Sequence, residues 1–343
     1  MQIELLSHWD NILAAFLKES KDVYFAEEYV RLYESDKEKA KCIFCKDGEN
    51  KFLLPILLRE FHFAGEVYFD FETAYGYGGP VCNTKDETFI KAAWKSVFDF
   101  CAKENFVAGF FRFHPLLQNQ AGFDSVGRLI ADRKTVAINL NQTMDEVWSN
   151  EIHSKNRNVI RKAEKAGCRF IVDDQYNHLD DFQRLYAATM DKLSADLFYY
   201  FPDDYYRRLR DTVEHSFLGC VEHEGKIISA AIFMYNGEWG HYHLSGSDRS
   251  YLSLSPNNFM LWEAAKELQS RGVKLFHLGG GTNGDEENSL YLFKRRFSKE
   301  THQFYIGKQV FNPAVYEAVC KDWELRNPEK TEQFKNITLK YKY

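Results

Sequence analysis

The sequence lacks the features of several common protein classes. Its longest apolar run, residues 52–58, is interrupted by Pro55 and is far too short to span a bilayer. The glycine-rich segment 278–284 matches neither a phosphate-binding P-loop nor a dinucleotide-binding G-x-G-x-x-G motif. The net charge of −6 argues against a surface built throughout to bind nucleic acid or an anionic membrane. Any anion-binding site must therefore be a local basic patch, and we expect no integral membrane segment and no DNA partner.

The chain has seven cysteines, an odd number. Residues 1–10 have neither the basic leader nor the apolar core of a secretion signal. We therefore expect a cytoplasmic protein with reduced thiols. Cys42 and Cys45 form a C-x-x-C pair, but no second pair follows at zinc spacing. The sequence predicts no metal site and no tightly bound cofactor.

The same order of predicted elements occurs twice in the 343 residues. Each half contains a hairpin, a strand, a polar loop, a helix and a further strand. They fall at 41–60, 66–71, 73–80, 86–105 and 106–113 in the first half, and at 217–236, 238–246, 247–256, 257–272 and 274–281 in the second. The repeat predicts an α/β (α+β) protein with two domains of one fold, 1–134 and 135–343, the second with a helical insert at 143–215 and a terminal helix. Chance similarity is the alternative, because βα units are common.

A lysine stands out in segment 278–297, which reads as a strand end, a glycine-rich loop and a short helix. At about 100° per residue, Phe293, Lys294 and Phe297 share the apolar stripe that contains Leu290. A lysine in such a stripe loses hydration, so it needs an anionic partner or has a functional role. One such role is to stabilise negative charge on a ligand or an oxyanion, beside backbone N–H groups. The alternative is a lysine whose stem packs while its ammonium reaches water.

A helix predicted at 143–167 is strongly basic in an acidic chain. Helical spacing places His153, Arg157 and Arg161 in one row, with Asn156 inside the apolar stripe. Guanidinium groups beside a polar side chain favour recognition of phosphate or carboxylate. A solvated basic face is the alternative.

The strand predicted at 238–246 carries two histidines. Alternation places His241, His243 and Ser245 on one face and Tyr242 on the other. Either His243 or Tyr242 is a candidate general base, and packed or hydrogen-bonded histidines are the alternative. No carboxylate or third histidine nearby completes a metal set.

This chain resembles the FemAB-like acyltransferases, a family of tandem GNAT-fold proteins, through the ordered segments HSKNRNVIRKAEKAG, YHLSGSD, PNNFMLWEAAKELQSRG, FHLGGGTN and LYLFKRRF. The resemblance covers most of residues 132–310, and the first half agrees in element order and in its G-G-P turn. It implies two GNAT-like domains, each a mixed and mostly antiparallel sheet flanked by helices. It also implies transfer of an acyl group from acyl-CoA or aminoacyl-tRNA, the co-substrate, to an amine on a peptidoglycan precursor or an envelope sugar.

The resemblance also suggests roles for individual residues. Lys294 is expected to stabilise the transition state, with His243 and Tyr242 as further catalytic candidates. The expected acceptor site contains Asn156, Arg157, Arg161, Phe293 and, from the aromatic run 197–201, Tyr199, although that run is equally consistent with plain core. The expected donor site contains Gly279, Gly280, Gly281, Asn283 and Ser245.

Two departures from the family pattern shape the expected function. The chain has no heptad-repeat arm of the kind found in some tRNA-handling relatives, and the position near Asn83 lacks the aspartate that often follows the first Gly-Pro. These departures favour N-acylation from acyl-CoA of an amino group on an activated envelope precursor, such as a nucleotide sugar or a lipid-linked sugar. The alternatives are aminoacyl-tRNA-dependent transfer to a peptidoglycan precursor and a non-catalytic module that binds an anionic glycan.

Overall fold

The computed structural model describes residues 1–193 and 200–343, which divide into two compact units. The first unit contains Met1–Asp132 and Phe304–Tyr343, and the second contains Arg133–Gln303. The division lies two residues from the predicted boundary after residue 134. The assignment of residues 304–343 to the second domain is corrected, because the last strand pairs within the first unit.

The elements follow one another in the predicted order. Up to residue 139 they are β1 Gln2–Leu6, α1 Asp10–Ala14, α2 Glu27–Arg31, β2 Glu38–Asp47, β3 Asn50–Phe63, β4 Glu66–Glu72, β5 Val81–Cys82, α3 Glu87–Lys103, β6 Phe106–Arg112 and β7 Arg128–Asn139. The next are α4 Met144–Glu146, α5 Ser154–Lys165, β8 Arg169–Asp173, α6 Leu179–Leu193, α7 Asp203–Thr212, β9 Ser216–His223, β10 Lys226–Asn236 and β11 Trp239–Ser247. The last are α8 Pro256–Ser270, β12 Leu275–Gly280, α9 Ser289–Arg295, β13 Thr301–Val310, α10 Pro313–Arg326 and α11 Thr331–Phe334.

The sheet of the first unit has the strand order β1-β2-β3-β4-β6-β13, with β5 paired to β3. Strands β4 and β6 are parallel, and the other neighbours in this order are antiparallel. Helix α3 packs on the sheet through Trp94, whose ring lies 5.0 Å from that of Phe123 and 5.1 Å from that of Phe52. Residues 306–310 of β13 pair with β6, which is why the terminal segment belongs to this unit.

The sheet of the second unit repeats this pattern in the order β8-β9-β10-β11-β12-β7. Strands β11 and β12 are parallel, as β4 and β6 are, and the remaining neighbours are antiparallel. In each unit a hairpin is followed by a strand, a helix and a parallel strand. The predicted mixed, mostly antiparallel sheet flanked by helices is therefore confirmed.

Helices cover both faces of the second sheet. On one face, α5 and α8 enclose an apolar core that includes Ile160, Phe217, Phe233 and Leu261. On the other face α6 approaches so closely that a Cβ on Gly246 would lie 2.3 Å from the backbone of Leu185. Among the described residues, no helix is both long and apolar enough to cross a membrane.

Candidate active site

Helix α9 buries Lys294 in the second unit. Asn288 begins this helix by accepting hydrogen bonds from the backbone N–H groups of Leu290 (3.1 Å) and Tyr291 (3.3 Å). Tyr291, Lys294 and Phe297 face inward, and only 7% of Lys294 is exposed. Leu290 is 39% exposed, so the predicted stripe is corrected: it begins at Tyr291, one residue later, but it does contain the lysine.

The ammonium of Lys294 is held by neutral groups. It donates a hydrogen bond of 2.8 Å to the carbonyl oxygen of Gly280 and lies 5.9 Å from the centre of the Tyr242 ring. It forms no ion pair within residues 1–193 and 200–343. Burial, together with the nearby charge of Arg133, lowers the pKa of Lys294 to about 7. The group therefore exchanges a proton near neutral pH, as a functional lysine does more often than a structural one.

The glycine run is mostly strand, which confirms the strand predicted at 274–281 and shortens the loop predicted at 278–284. Gly279 and Gly280 are the last residues of β12, and Gly279 has a φ of +76°, which favours glycine. A Cβ on Gly280 would lie 2.8 Å from the carbonyl oxygen of Lys134. The glycines thus allow close packing of β7 on β12, and a carbonyl, rather than an N–H group, faces Lys294.

Arg133, which was not among the predicted site residues, supports this strand end. Its guanidinium donates a hydrogen bond of 2.9 Å to the carbonyl oxygen of Gly281, and its stem would contact a Cβ on Gly280. Arg133 therefore lies against the residue whose carbonyl accepts from Lys294. Its position between two predicted domains offered no sequence signal, because the contact depends on the pairing of β7 with β12.

A β-bulge in β11 changes the predicted faces of that strand. Tyr242 pairs with Phe233 and Leu244 pairs with Ile232, so His243 is the inserted residue. The insertion places Tyr242 and Ser245 on the same side, where the Tyr242 hydroxyl donates to Ser245 Oγ at 2.5 Å. The predicted grouping of His243 with Ser245 is therefore corrected.

The two predicted bases have different surroundings. His243 Nε2 lies 2.8 Å from the hydroxyl of Tyr205 on α7, whereas Tyr242 faces Lys294. Burial, aided by His241, lowers the pKa of His243 to about 3. Burial raises the pKa of Tyr242 to about 12. At neutral pH the imidazole is a weak base and the phenol keeps its proton, so Tyr242 is a hydrogen-bond donor.

The parallel strands separate at this position. Strands β11 and β12 pair through residues 239–241 and 275–277. Beyond these residues, Tyr242 on one strand and Gly280 on the other contact Lys294. The carboxyl ends of parallel strands are a common location for ligands in α/β sheets. The site therefore combines a diverging strand pair, a buried amine and hydrogen-bonding groups.

The predicted acceptor residues on the basic helix have different surroundings. The continuous helix expected at 143–167 is interrupted by a π-helical turn, Val147–Glu151, before α5 begins. Arg157 donates to the carbonyl oxygens of Trp148 (3.1 Å), Ser149 (3.3 Å) and Ile152 (2.5 Å). Its guanidinium thus caps that turn, and binding of the acceptor by Arg157 stays a prediction.

The other predicted contacts are dispersed. Asn156 is 1% exposed, and its side-chain oxygen accepts from Asn258 of α8 at 3.0 Å. Arg161 is exposed, and its guanidinium carbon lies 5.2 Å from the centre of the Trp148 ring. Asn283 lies in an exposed loop and accepts from the N–H of Asp285 at 3.1 Å.

Two further aromatic predictions concern the acceptor. Phe293 is half-buried, its ring lies 5.5 Å from that of Phe297, and it packs against the core of the second unit. Tyr199 lies outside the described residues.

Comparisons with known proteins agree with this architecture. The model of the acetyltransferase (GNAT) domain family matches residues 153–295, which include α5, the parallel strands and Lys294. A UDP-N-acetylmuramoylpentapeptide-lysine N(6)-alanyltransferase from Weissella viridescens is 24% identical over 279 residues. That alignment covers 75% of this chain and 82% of the relative.

Solved structures share the fold. The crystal structure of FemX superposes with a TM-score of 0.70 at 14% identity, covering 93% of this chain and 99% of that chain. The structure of L-PGS from Bacillus licheniformis gives a TM-score of 0.54 at 12% identity, covering 79% of this chain and 84% of that chain. At these identities the superpositions speak for the fold alone.

Proposed function

We propose that this chain, which belongs to the FemAB-like acyltransferases with the GNAT fold, transfers an aminoacyl group from aminoacyl-tRNA to an amine of a peptidoglycan precursor. The observation that carries the proposal is the buried amine of Lys294 where strands β11 and β12 diverge. Without a carboxylate partner within residues 1–193 and 200–343, this amine is available to a ligand that develops negative charge.

The donor follows from the related enzyme. The Weissella viridescens relative is an alanyltransferase that modifies N6 of a lysine in a muramoyl pentapeptide. An alanyl group is an aminoacyl group, and the FemAB resemblance provides aminoacyl-tRNA as its activated form. The relationship favours this alternative over the acyl-CoA donor and amino-sugar acceptor that the two departures from the family pattern favour.

The reaction is aminolysis of an ester. The acceptor amine attacks the carbonyl carbon of the aminoacyl ester, which forms a C–N bond and a tetrahedral oxyanion. Collapse breaks the C–O bond to the ribose of the tRNA, and the proton lost by the amine is transferred to the leaving ribose oxygen. Most of the new negative charge develops when the oxyanion forms. A hydrogen-bond donor positioned at this oxygen therefore lowers the barrier.

Lys294 is suited to be that donor. A protonated lysine has three N–H groups, and the carbonyl of Gly280 accepts from one, which leaves others for a ligand. The ring of Tyr242 lies at the distance of a cation–π contact and favours the charged form. In a buried site such a donor acts with little screening by water.

The acceptor amine must be neutral to attack. The pKa of His243, about 3, makes it a poor proton acceptor, and the pKa of Tyr242, about 12, keeps its phenol protonated. Because Lys294 acts in its protonated form, none of the three catalytic candidates serves as the base, and the proton of the attacking amine passes to the leaving ribose oxygen. We propose that Tyr242 orients Lys294. His243 instead lies on the side of β11 that faces α7, where it contacts Tyr205.

A donor panel tests the proposed function. The purified chain is given radiolabelled alanyl-tRNA or acetyl-CoA, each with UDP-N-acetylmuramoyl pentapeptide containing lysine or with a nucleotide amino sugar. We expect transfer of alanine from the charged tRNA to the lysine amine, and no transfer to the same peptide with its lysine ε-amine acetylated. Acetyl transfer to the amino sugar, without any alanine transfer, would overturn the proposal.

A further inference from the structure

Helix α5 presents a predominantly basic surface to solvent, with Glu164 as its one exposed acidic residue. Four exposed side chains form this basic face: Lys155, Arg161, Lys162 and Lys165. The opposite side of α5 is buried through Asn156, Ile160 and Ala163. Within residues 1–193 and 200–343 the four cations form no ion pair, although Lys162 donates to the carbonyl oxygen of Ser253 at 3.0 Å. In a chain of net charge −6, four unpaired cations on three turns are a concentrated patch.

The basic face begins beside the helix that carries Lys294. The backbone N–H of His153, at the start of α5, donates to the carbonyl oxygen of Arg296 at 2.8 Å, directly after α9. A second contact joins Ser298 Oγ to the carboxylate of Glu151 at 2.9 Å. From Lys155 the face then extends about 15 Å along α5, at about 1.5 Å per residue. A polyanion that extends along this helix therefore has one end close to α9.

We propose that the basic face binds the phosphate backbone of the acceptor arm of the donor tRNA. This inference rests on the proposed function, because that function places the charged 3′ end of the RNA at Lys294. Lysine and arginine side chains bind phosphates without reading base sequence, and such contacts set the position of the nucleic acid. The basic face therefore orients the acceptor arm of the tRNA, and Lys294 of α9 contacts the aminoacyl ester.

The composition of the helix favours RNA over a membrane surface. A helix that lies in a bilayer interface inserts an apolar face beneath its cations. The apolar side of α5 is instead occupied, since Ile160 is 2% exposed and Ala163 is fully buried in the core of the second unit. The exposed side offers charged and polar groups alone, with Asn158 between the cations. Such a surface binds a ligand mainly through ionic contacts with its phosphate groups.

The test compares two triple variants with the same net charge. In the face variant Lys155, Lys162 and Lys165 are each replaced by Gln, which preserves helix propensity. In the control variant the exposed lysines Lys37, Lys85 and Lys103 of the first unit are replaced in the same way. Transfer of alanine from alanyl-tRNA is measured between about 50 and 200 mM salt.

We expect the face variant to raise the KM for alanyl-tRNA by about tenfold or more and to reduce the salt slope of log(kcat/KM) by about 2 to 3. The control variant should match wild type. A second donor, alanine esterified to the dinucleotide cytidylyl-adenosine, lacks the phosphate backbone that would extend along the basic face. With this donor the face variant should transfer at the wild-type rate, which separates loss of RNA contact from loss of fold.

Four outcomes oppose the proposal. Unchanged use of alanyl-tRNA by the face variant overturns it, as does an equal loss in the control variant or an equal loss with the dinucleotide donor. Loss of binding to phosphatidylglycerol vesicles with an unchanged KM for alanyl-tRNA identifies a membrane surface instead. If wild type uses neither charged donor, the proposed function itself fails, and that result is distinct from the others.

Discussion

The ammonium of Lys294 donates a hydrogen bond to the carbonyl oxygen of Gly280 at 2.8 Å, so the end of β12 holds the amine of α9. The pair joins the glycine run of β12 to helix α9 through two residues that lie 14 positions apart in the sequence. Arg133 lies against the same strand end through Gly281. The predictions below follow from the charge, the contacts and the surroundings of this lysine.

The pH dependence of transfer should respond to Arg133. The positive charge of Arg133 contributes to the lowered pKa of Lys294, so Arg133→Gln should raise that pKa. If the ammonium form stabilises the oxyanion, the rate falls as pH rises through the pKa of Lys294. The descending limb of the single-turnover profile should therefore move to higher pH in Arg133→Gln and stay in place in Arg133→Lys. If the descending limb moves in neither variant, Arg133 does not lower the pKa of Lys294.

The free energy of unfolding should depend on pH because the amine of Lys294 is buried. An unfolded lysine titrates near pH 10.4, whereas burial lowers the pKa of Lys294 in the folded protein to about 7. As pH falls from about 10 to about 7, the unfolded chain takes up a proton that the folded chain does not, which lowers stability. Relative to Lys294→Met, wild type should therefore gain up to about 4 kcal/mol of unfolding free energy between about pH 7 and about pH 10. Denaturant titrations at both pH values measure this difference, with the exposed Lys299→Met as the charge control.

The side chain of Tyr242 should act through its ring and hydroxyl, not as a base. Tyr242→Phe removes the hydrogen bond to Ser245 but keeps the ring beside Lys294. We expect a loss of about tenfold or less in single-turnover rate and an unchanged shape of the pH profile, since one neutral hydrogen bond contributes about 0.5–1.5 kcal/mol. Tyr242→Leu, which removes the ring as well, should lose more. If the pH profile of Tyr242→Phe lacks a limb that wild type shows, Tyr242 acts as a base.

Arg157 should be important for stability rather than for the acceptor. Its guanidinium donates to three carbonyl oxygens at the end of the π-helical turn. Arg157→Met should lower the unfolding free energy by about 1–3 kcal/mol because three carbonyl acceptors, of which that of Ile152 belongs to a buried residue, lose their donor. The KM for the acceptor should not change. Arg161→Met, on the exposed side, is the matched control and should change stability by about 0.5 kcal/mol or less. A raised acceptor KM with normal stability would return Arg157 to the binding site.

Local patterns predicted the elements and the buried lysine well. The hairpins, the helices α3 and α8 and the parallel strands lie within a few residues of their expected positions, because alternation and helical periodicity are local signals. The burial of Lys294 followed from the same periodicity, although the stripe starts at Tyr291. The family resemblance identified the same lysine by an independent route.

The corrections concern features that depend on distant partners. The strand character of Gly279 and Gly280 depends on pairing with β7, and the place of β13 depends on pairing with β6. The bulge at His243 inserts one residue, and alternation carries no signal of such an insertion. The break before α5 requires Arg157 to reach back to three carbonyl groups, which no periodicity shows.

The most direct measurement is single-turnover transfer of alanine from alanyl-tRNA to the lysine-containing muramoyl pentapeptide by Lys294→Met. Binding of both substrates and the cooperative unfolding transition are measured on the same preparation, with Lys299→Met as the control. The account predicts a loss of about 10²–10³ in rate, the typical cost of removing one oxyanion donor, with both substrates still bound. A wild-type rate in Lys294→Met would contradict the central role of this amine.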